Sequence, residues 1–319
     1  MLSCFDFCSG IGSAHQAFQR LGCEFNGYSE INEKAEKTYQ LFNGDKYKNY
    51  GDLTKINADI LSSFDIMLAG FPCQTFSIVG QRKGFNDERG QIIYSLAKIL
   101  KQKQPKAFLF ENVKGLVNHN NGNTLKTILS LLQDCEYVVD YKVLSSEKFG
   151  IPQLRERIYF VGIRTDLYKR PFTFPTGTTS EKNISDFLSE IDDKFLLKGE
   201  NYNTFLRYLN NKYNKGKFNL EDILKQDYLV LDTRQSDLRL YKNVIPTLRT
   251  GRQGILYIKN GKIRKLSGRE ALLLQGFSLE QATMAQETFK QTDILAQAGN
   301  AMTINVMYEI GKKLVEYLQ

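Results

Sequence analysis

One cysteine in this 319-residue chain is set apart by its neighbours. Cys73 stands in Gly70-Phe71-Pro72-Cys73-Gln74, at the end of an apolar run, and the ring of Pro72 fixes the chain direction just before it. Downstream, Gly80, Gly84 and Gly90 punctuate a segment that carries Arg82, Lys83 and Arg89, the composition expected of a basic loop able to close. A thiol presented to a cleft in this way is a candidate nucleophile. Its thiolate is accessible near neutral pH, whereas a serine would need a dedicated base.

A second constellation lies at the start. The apolar run Leu2–Phe7 leads into Cys8-Ser9-Gly10-Ile11-Gly12-Ser13 and then a helical pattern, a strand-to-helix junction whose glycines let backbone approach a bound nucleotide. Such turns also serve as plain tight connections. Glu30, at the end of the next strand, is placed to accept two ribose hydroxyls, and Asp52 in Gly51-Asp52-Leu53 could accept from an adenine amino group. Either acid could instead be a surface charge. The spacing does not separate a dinucleotide from another adenosine cofactor.

These residues need a scaffold, and the apolar periodicity supplies one. Strands are expected at Leu2–Phe7, Phe25–Ser29, Ile66–Ala69, Ala107–Glu111, Tyr137–Leu144 and Ile158–Ile163, with helices at Ser13–Leu21, Glu33–Phe42, Gln91–Lys101 and Thr124–Gln133. Alternation of this kind implies an α/β domain with a largely parallel sheet, whose ligands gather at the carboxyl ends of the strands. We expect this first domain over 1–175, a smaller second domain over 176–265, and a closing segment over 266–319. In that segment Ser267-Gly268-Arg269-Glu270 forms a capping box. The final helix, Ile304 to Leu318, is expected to pack back on the first domain.

Composition narrows the class. The content of 42% apolar residues suits a globular protein with a large core. The opening Met1-Leu2-Ser3-Cys4-Phe5-Asp6 lacks a basic secretory start, and no apolar run approaches membrane-spanning length, so a cytoplasmic protein without a membrane role is expected. Five cysteines (4, 8, 23, 73 and 135) without repeated Cys-x-x-Cys spacing, and two distant histidines (His15 and His119), argue against disulfides and against a metal site. The net charge is +8, yet Lys198 to Lys265 alone holds 15 basic against 6 acidic residues, a net +9. A basic segment on a nearly neutral body suits polyanion binding, though a solvated lysine-rich face would read the same.

Taken in order, the motifs resemble the cytosine-5 DNA methyltransferase family of bacterial or phage type. Its Pro-Cys-Gln nucleophile stands at Pro72-Cys73-Gln74 and its cofactor loop at Asp6 to Ser13. Its acidic cofactor contacts fall on Glu30 and Asp52, its Glu-Asn-Val on Glu111-Asn112-Val113, its Gln-x-Arg-x-Arg on Gln153 to Arg157, and its Gly-Asn on Gly299-Asn300. Only about Thr165–Arg264 carries no family residues. Ser13 and Cys8 replace a glycine and a phenylalanine of the cofactor loop, which removes one stacking contact to adenine, and Ala301 replaces a serine.

The resemblance implies a Rossmann-like S-adenosylmethionine-dependent domain with a mainly parallel sheet, joined to a smaller target-recognition domain. It implies S-adenosylmethionine as cofactor, with contacts from Asp6, Phe7, Ser9, Gly10, Gly12, Glu30, Ile31, Asp52, Leu53, Gly70, Phe71, Pro72, Ile92 and Asn300. The reaction would be site-specific methylation of carbon 5 of a flipped-out cytosine through a covalent Cys73 adduct. Glu111 would hydrogen-bond ring nitrogen 3 and the exocyclic amine, with a pKa raised by desolvation. Arg157 would hold oxygen 2, and Arg155 would steady a loop or a phosphate. Activation of the thiol by basic neighbours or by coupled ring protonation stays open, as does the base for the carbon-5 proton. Double-stranded DNA is the implied partner. Gln74, Ser77, Arg82, Lys83 and Arg89 would contact it from the loop, and Arg234, Arg239, Arg249 and Arg252 from the basic region, on bases or phosphates alike. A monomer is expected, with a restriction endonuclease acting separately. The rival readings are a tRNA cytosine-5 methyltransferase, a non-catalytic DNA-binding regulator and, from the glycine loop alone, a nucleotide-dependent oxidoreductase.

Overall fold

Parallel strands covered on both faces read as unbroken apolar runs, and Ser3–Phe7 (β1), Ile66–Gly70 (β3) and Ala107–Val113 (β4) are of this kind. The computed structural model describes residues 1–71, 91–177, 182–251 and 253–319. The chain divides into two compact units, the first comprising Met1–Ser145, Glu156–Gly177 and Ala301–Gln319, the second Ser146–Arg155 and Thr178–Asn300.

In the first unit these strands join Glu24–Ser29 (β2), Tyr137–Ser145 (β5) and Glu156–Arg164 (β7) in one sheet of order β2-β1-β3-β4-β7-β5. All six expected strands are present, within a residue or two at most ends. The expected mainly parallel sheet is present too, with β7 running antiparallel to both β4 and β5. Chain direction explains the reversal, since β5 returns to β7 through a short connection that leaves no room for a crossover.

One face of this sheet packs Phe5, Phe7, Met67, Phe108, Phe110 and Phe160 against Leu96 and Leu100 of α3 (Gln91–Lys103) and Ile128 and Leu132 of α4 (Asn123–Gln133). Gly162 on β7 pairs with Phe108 on β4, and a Cβ there would stand 2.0 Å from the Phe108 ring. Helix α1 (Ser13–Gln19) lies along α10 (Ile304–Leu318), and a Cβ on Gly311 would stand 2.9 Å from Phe18 and from Leu21.

The order β2-β1-β3 puts a switch point between β1 and β3, whose connections lead to opposite sides. In open α/β sheets ligands bind beyond the strand ends at such a point. The glycine junction leaves the end of β1, and Gly70-Phe71 ends β3.

The second unit is built on an antiparallel sheet, β12-β11-β8-β9, from Val230–Asp232 (β8), Arg239–Tyr241 (β9), Ile255–Lys259 (β11) and Lys262–Lys265 (β12). Asn260-Gly261 joins β11 to β12 with both residues at positive φ, the two-residue hairpin that Asn-Gly favours. Phe205 and Leu209 of α5 (Glu200–Leu209) cover Leu231, Leu256 and Ile258. A short parallel pair joins Gln153–Leu154 (β6) to Ile245–Pro246 (β10). The expected capping box opens α7 (Gly268–Leu273), with Ser267 Oγ accepting from the Glu270 N–H at 3.1 Å and the Glu270 carboxylate accepting from the Ser267 N–H at 2.9 Å. Helices α8 (Leu279–Thr288) and α9 (Gln291–Asn300) complete the unit.

Candidate active site

The end of β3 is tied to β4. The Phe71 N–H donates to the Glu111 carbonyl at 3.3 Å, and Asn112 Nδ2 donates to the Phe71 carbonyl at 2.9 Å. Asn112 is buried, so a lost partner there would leave an amide unsatisfied. The middle residue of Glu-Asn-Val therefore holds the backbone two residues ahead of Cys73, a positioning task that sequence reading did not assign. Pro72, Cys73, Gln74, Ser77, Arg82, Lys83 and Arg89 lie outside the described residues, as does Arg252.

Glu111 on β4 pairs with Gly70 on β3, and its carboxylate forms an ion pair with Arg157, Nε to Oε1 at 3.0 Å, with both side chains about a tenth exposed. A second nitrogen of Arg157 donates to the Glu156 carbonyl at 2.8 Å. Glu111 thus has a cation beside it. Glu111 and Arg157 come together, as cooperation on one ring would need. Arg155, two residues before Arg157, turns to two carbonyls of the second unit. Buried, it donates from Nη1 to the carbonyls of Leu248 at 3.1 Å and Gly299 at 3.2 Å.

The glycine junction is braced from β2. Gly10 N–H donates to one Glu30 oxygen at 2.8 Å and Asn32 N–H to the other at 2.7 Å, while Asn49 bonds the Glu30 backbone in both directions. Ser9 N–H reaches the Ser29 carbonyl at 3.1 Å. Asp52 accepts from the Thr54 hydroxyl and N–H and pairs with Lys55 at 3.1 Å. Burial works against its charge, but those donors outweigh it and hold its pKa below the usual value. Leu53 and Phe71 are buried, Ile92 is half-buried, and Ile31 is 72% exposed beside Glu30.

Three features fit a nucleoside at this junction. A Cβ on Gly10 would meet nothing within 4 Å, so the backbone there is open to close approach. Exposed Ile31 beside a carboxylate offers an apolar surface next to an acceptor for hydroxyls. Asp6, under the junction, is fully buried and neither carboxyl oxygen has a hydrogen-bond partner of normal geometry among the described residues. Burial, then the charge on Glu30, raise the Asp6 pKa well above the usual carboxylate range, with the His15 N–H pulling the other way. Asn300, the remaining candidate, ends α9 in the second unit and is exposed.

Cys8 takes the place where a stacking ring was missing. Burial, together with Glu30, Asp6 and Asp52, pushes its thiol up to about 12. That leaves Cys8 protonated and a poor rival for the role given to Cys73. Among the described residues no group of three or more His, Cys, Asp and Glu is placed to hold a metal ion, and no helix is long and apolar enough to cross a membrane.

The basic candidates differ in how far they are committed. Arg234 grips Asp232 with two nitrogens at 2.7 and 2.8 Å and the Thr247 carbonyl with a third at 2.8 Å, and both charged side chains are 6% exposed. Arg239 is exposed and pairs loosely with Asp237 at 3.2 Å. Arg249 is exposed, with no hydrogen-bond or ion-pair partner among the described residues.

An α/β sheet of this strand order, with a glycine junction at its switch point, is the fold of S-adenosylmethionine-dependent methyltransferases. A solved structure, Dnmt2 methyltransferase of S. pombe, shares the fold with a TM-score of 0.73 over 99% of both chains at 20% identity. The family follows from sequence. A model described as C-5 cytosine-specific DNA methylase matches residues 2–316. The chain is 34% identical to the type II methyltransferase M.HpaII of Haemophilus parainfluenzae, over 98% of this chain and 89% of that protein. It is 33% identical to M.NgoBI of Neisseria gonorrhoeae over 100% and 94%. The chain belongs to the C-5 cytosine-specific DNA methylases, and it is a DNA cytosine-5 methyltransferase.

Proposed function

We infer that this enzyme methylates cytosine within a specific DNA sequence, acting on a base turned out of the duplex and bonded transiently to Cys73. A base inside the stack cannot be reached by groups at the end of a buried sheet, so extrusion is required. The thiolate of Cys73 adds to carbon 6, and the electrons of the 5,6 double bond move toward carbon 5 and nitrogen 3. Glu111 holds nitrogen 3 and the exocyclic amine as that charge grows, and Arg157 holds oxygen 2. Bound S-adenosylmethionine supplies a methyl group on a sulfonium. Carbon 5 takes that methyl, its proton leaves, and the bond from sulfur to carbon 6 breaks, returning the thiolate and an aromatic ring.

Asp6, Phe7, Ser9, Gly10 and Gly12 of the junction, Glu30 and Ile31 after β2, Asp52 and Leu53, and Gly70 and Phe71 at the end of β3 would hold the cofactor, with Pro72, Ile92 and Asn300 completing the set. Gln74, Ser77, Arg82, Lys83 and Arg89 would meet the DNA, joined by Arg239, Arg249 and Arg252 from the second unit. Arg234, spent on Asp232 and Thr247, would act from inside that unit. A methyltransferase protecting DNA from a separately acting restriction endonuclease is the setting we propose, since M.HpaII and M.NgoBI are named type II methyltransferases.

The observation that carries this reading is the Glu111–Arg157 pair at 3.0 Å, beside the strand end that Asn112 holds and that leads into Cys73. DNA containing 5-fluorocytosine tests it, because fluorine on carbon 5 blocks proton loss and leaves the adduct in place. The wild-type protein should form a denaturation-resistant complex with that DNA when cofactor is present, and Cys73→Ala should form none while still binding DNA. A Cys73→Ala variant with normal turnover would end the assignment. Labelling of tRNA but not DNA would move the substrate to the rival reading.

A further inference from the structure

The second unit holds the segment between β10 and β11 at both ends. On the entering side, the Leu248 N–H donates to the Gln153 side chain at 3.0 Å, the Leu248 carbonyl accepts from Arg155 at 3.1 Å, and the Thr247 carbonyl accepts from Arg234 at 2.8 Å. Gly299 lies so close that a Cβ on it would stand 2.4 Å from the Thr250 nitrogen and 2.5 Å from the Arg249 carbonyl carbon. On the leaving side, the Gly254 carbonyl accepts from both the N–H and the hydroxyl of Thr233 at 2.9 Å. Gly254 has φ of 136°, and a Cβ there would meet Thr233 Oγ1 at 3.0 Å. Between these ends Arg249, Thr250 and Gln253 are exposed among the described residues, and the two with long hydrogen-bonding side chains are Arg249 and Gln253. Neither has a hydrogen-bond or ion-pair partner among the described residues.

Side chains left free on a backbone this strongly held are preorganised for an external partner. A cavity of about 600 Å³ opens beside them, lined in part by Lys265 and by Lys194, which pairs with Asp192 at 2.8 Å, and by no acidic side chain among the described residues, so the unpaired charges of its wall, Arg249 and Lys265, favour an anion. Arg and Gln are also side chains whose planar ends match base edges bidentately, Arg to guanine and Gln to adenine.

We propose that Gln253 and Arg249 are specificity-determining residues that read the edges of base pairs near the target cytosine, with Gln153, Arg155 and Gly299 fixing the backbone from which they project. This inference rests on the proposed sequence-specific methylation of DNA. It assigns Arg155 a positioning task. It also separates the two free readers from Arg234, which holds the segment in place.

Bisulfite sequencing of DNA from cells expressing the full chain tests it, read as the methylation level of every cytosine by flanking sequence. Wild type should yield a defined motif. Gln253→Ala and Arg249→Ala should each relax one base-pair position of that motif by about 10- to 100-fold, leaving the other positions selective. Gln253→Glu should move the preference at its position toward cytosine, whose amine a carboxylate accepts, a switch that loss of structure would not produce. Either alanine variant keeping the full wild-type motif, or losing methylation evenly in all contexts as a phosphate contact would, overturns the assignment of that residue. Wild-type DNA without methylated cytosine overturns the underlying activity and this inference with it.

Discussion

Glu111 and Arg157 hold each other in the protein as described, so each is available to a substrate only by exchanging one partner for another. Replacing Glu111 by Gln keeps the shape and removes both the charge and the proton it could share with ring nitrogen 3. Turnover should fall about 100-fold or more, with cofactor affinity little changed. Single-turnover transfer of a labelled methyl group measures the first quantity and calorimetry the second, and an unchanged rate would leave Glu111 without a chemical role. Asn112 acts through the backbone ahead of Cys73. Asn112→Ala leaves the buried Phe71 carbonyl without its donor at a cost of about 1–3 kcal/mol, and urea denaturation should register that loss.

At the scale of elements, the β1–glycine–α1 junction leaves no room for a side chain at its second glycine. Gly12 has φ of 85°, and a Cβ there would stand 2.7 Å from Asn43 Nδ2 and 2.9 Å from the Tyr39 ring. Gly12→Ala should therefore cost about 1–3 kcal/mol and weaken cofactor binding, whereas equal urea midpoints for variant and wild type would contradict the close packing. Helix α1 also carries His15, buried, stacked on Phe25 at 3.8 Å and bonded through Nδ1 to the Tyr39 hydroxyl at 2.6 Å. Burial, and next Lys46, lower its pKa from 6.5 to about 3. The unfolded chain therefore binds a proton that the folded chain refuses between those values. The stability from neutral His15 is complete above pH 6.5 and is lost as pH falls toward 3, by up to about 1.4 kcal/mol per unit. His15→Phe should flatten that acid limb in thermal melts recorded from pH 7 to pH 4. A variant whose melting temperature falls as steeply as wild type would put the acid sensitivity elsewhere.

For the whole molecule, charge is the property that acts at a distance. All of the excess basic charge lies between Lys198 and Lys265, on the second unit. DNA affinity should fall by at least about tenfold between 50 and 200 mM salt, as counterion release requires when several phosphates are neutralised. Fluorescence anisotropy with a labelled duplex measures the slope. A flat salt dependence would mean that this surface does not meet the DNA backbone.

Much of this was readable from the chain alone, and the reasons are local. Strands β1, β3 and β4 were legible because parallel strands bury both faces and so announce themselves as apolar runs. The capping box at Ser267 was legible because its two partners are three residues apart. The family motifs pointed to the chemistry because the roles proposed for Cys73, Glu111 and Arg157 each call for that residue type. Position in the sequence could not reveal which charged groups neutralise one another across strands, because partners far apart in the chain are set by register and packing. That decided the pairing of Arg157 with Glu111, the reversal of β7, the internal commitment of Arg234 that had looked available for DNA, and the turning of Arg155 to the carbonyls of Leu248 and Gly299. It also decided that Arg249 and Gln253 stand without a partner among the described residues, since a side chain is left so only when what is folded around it has chosen another.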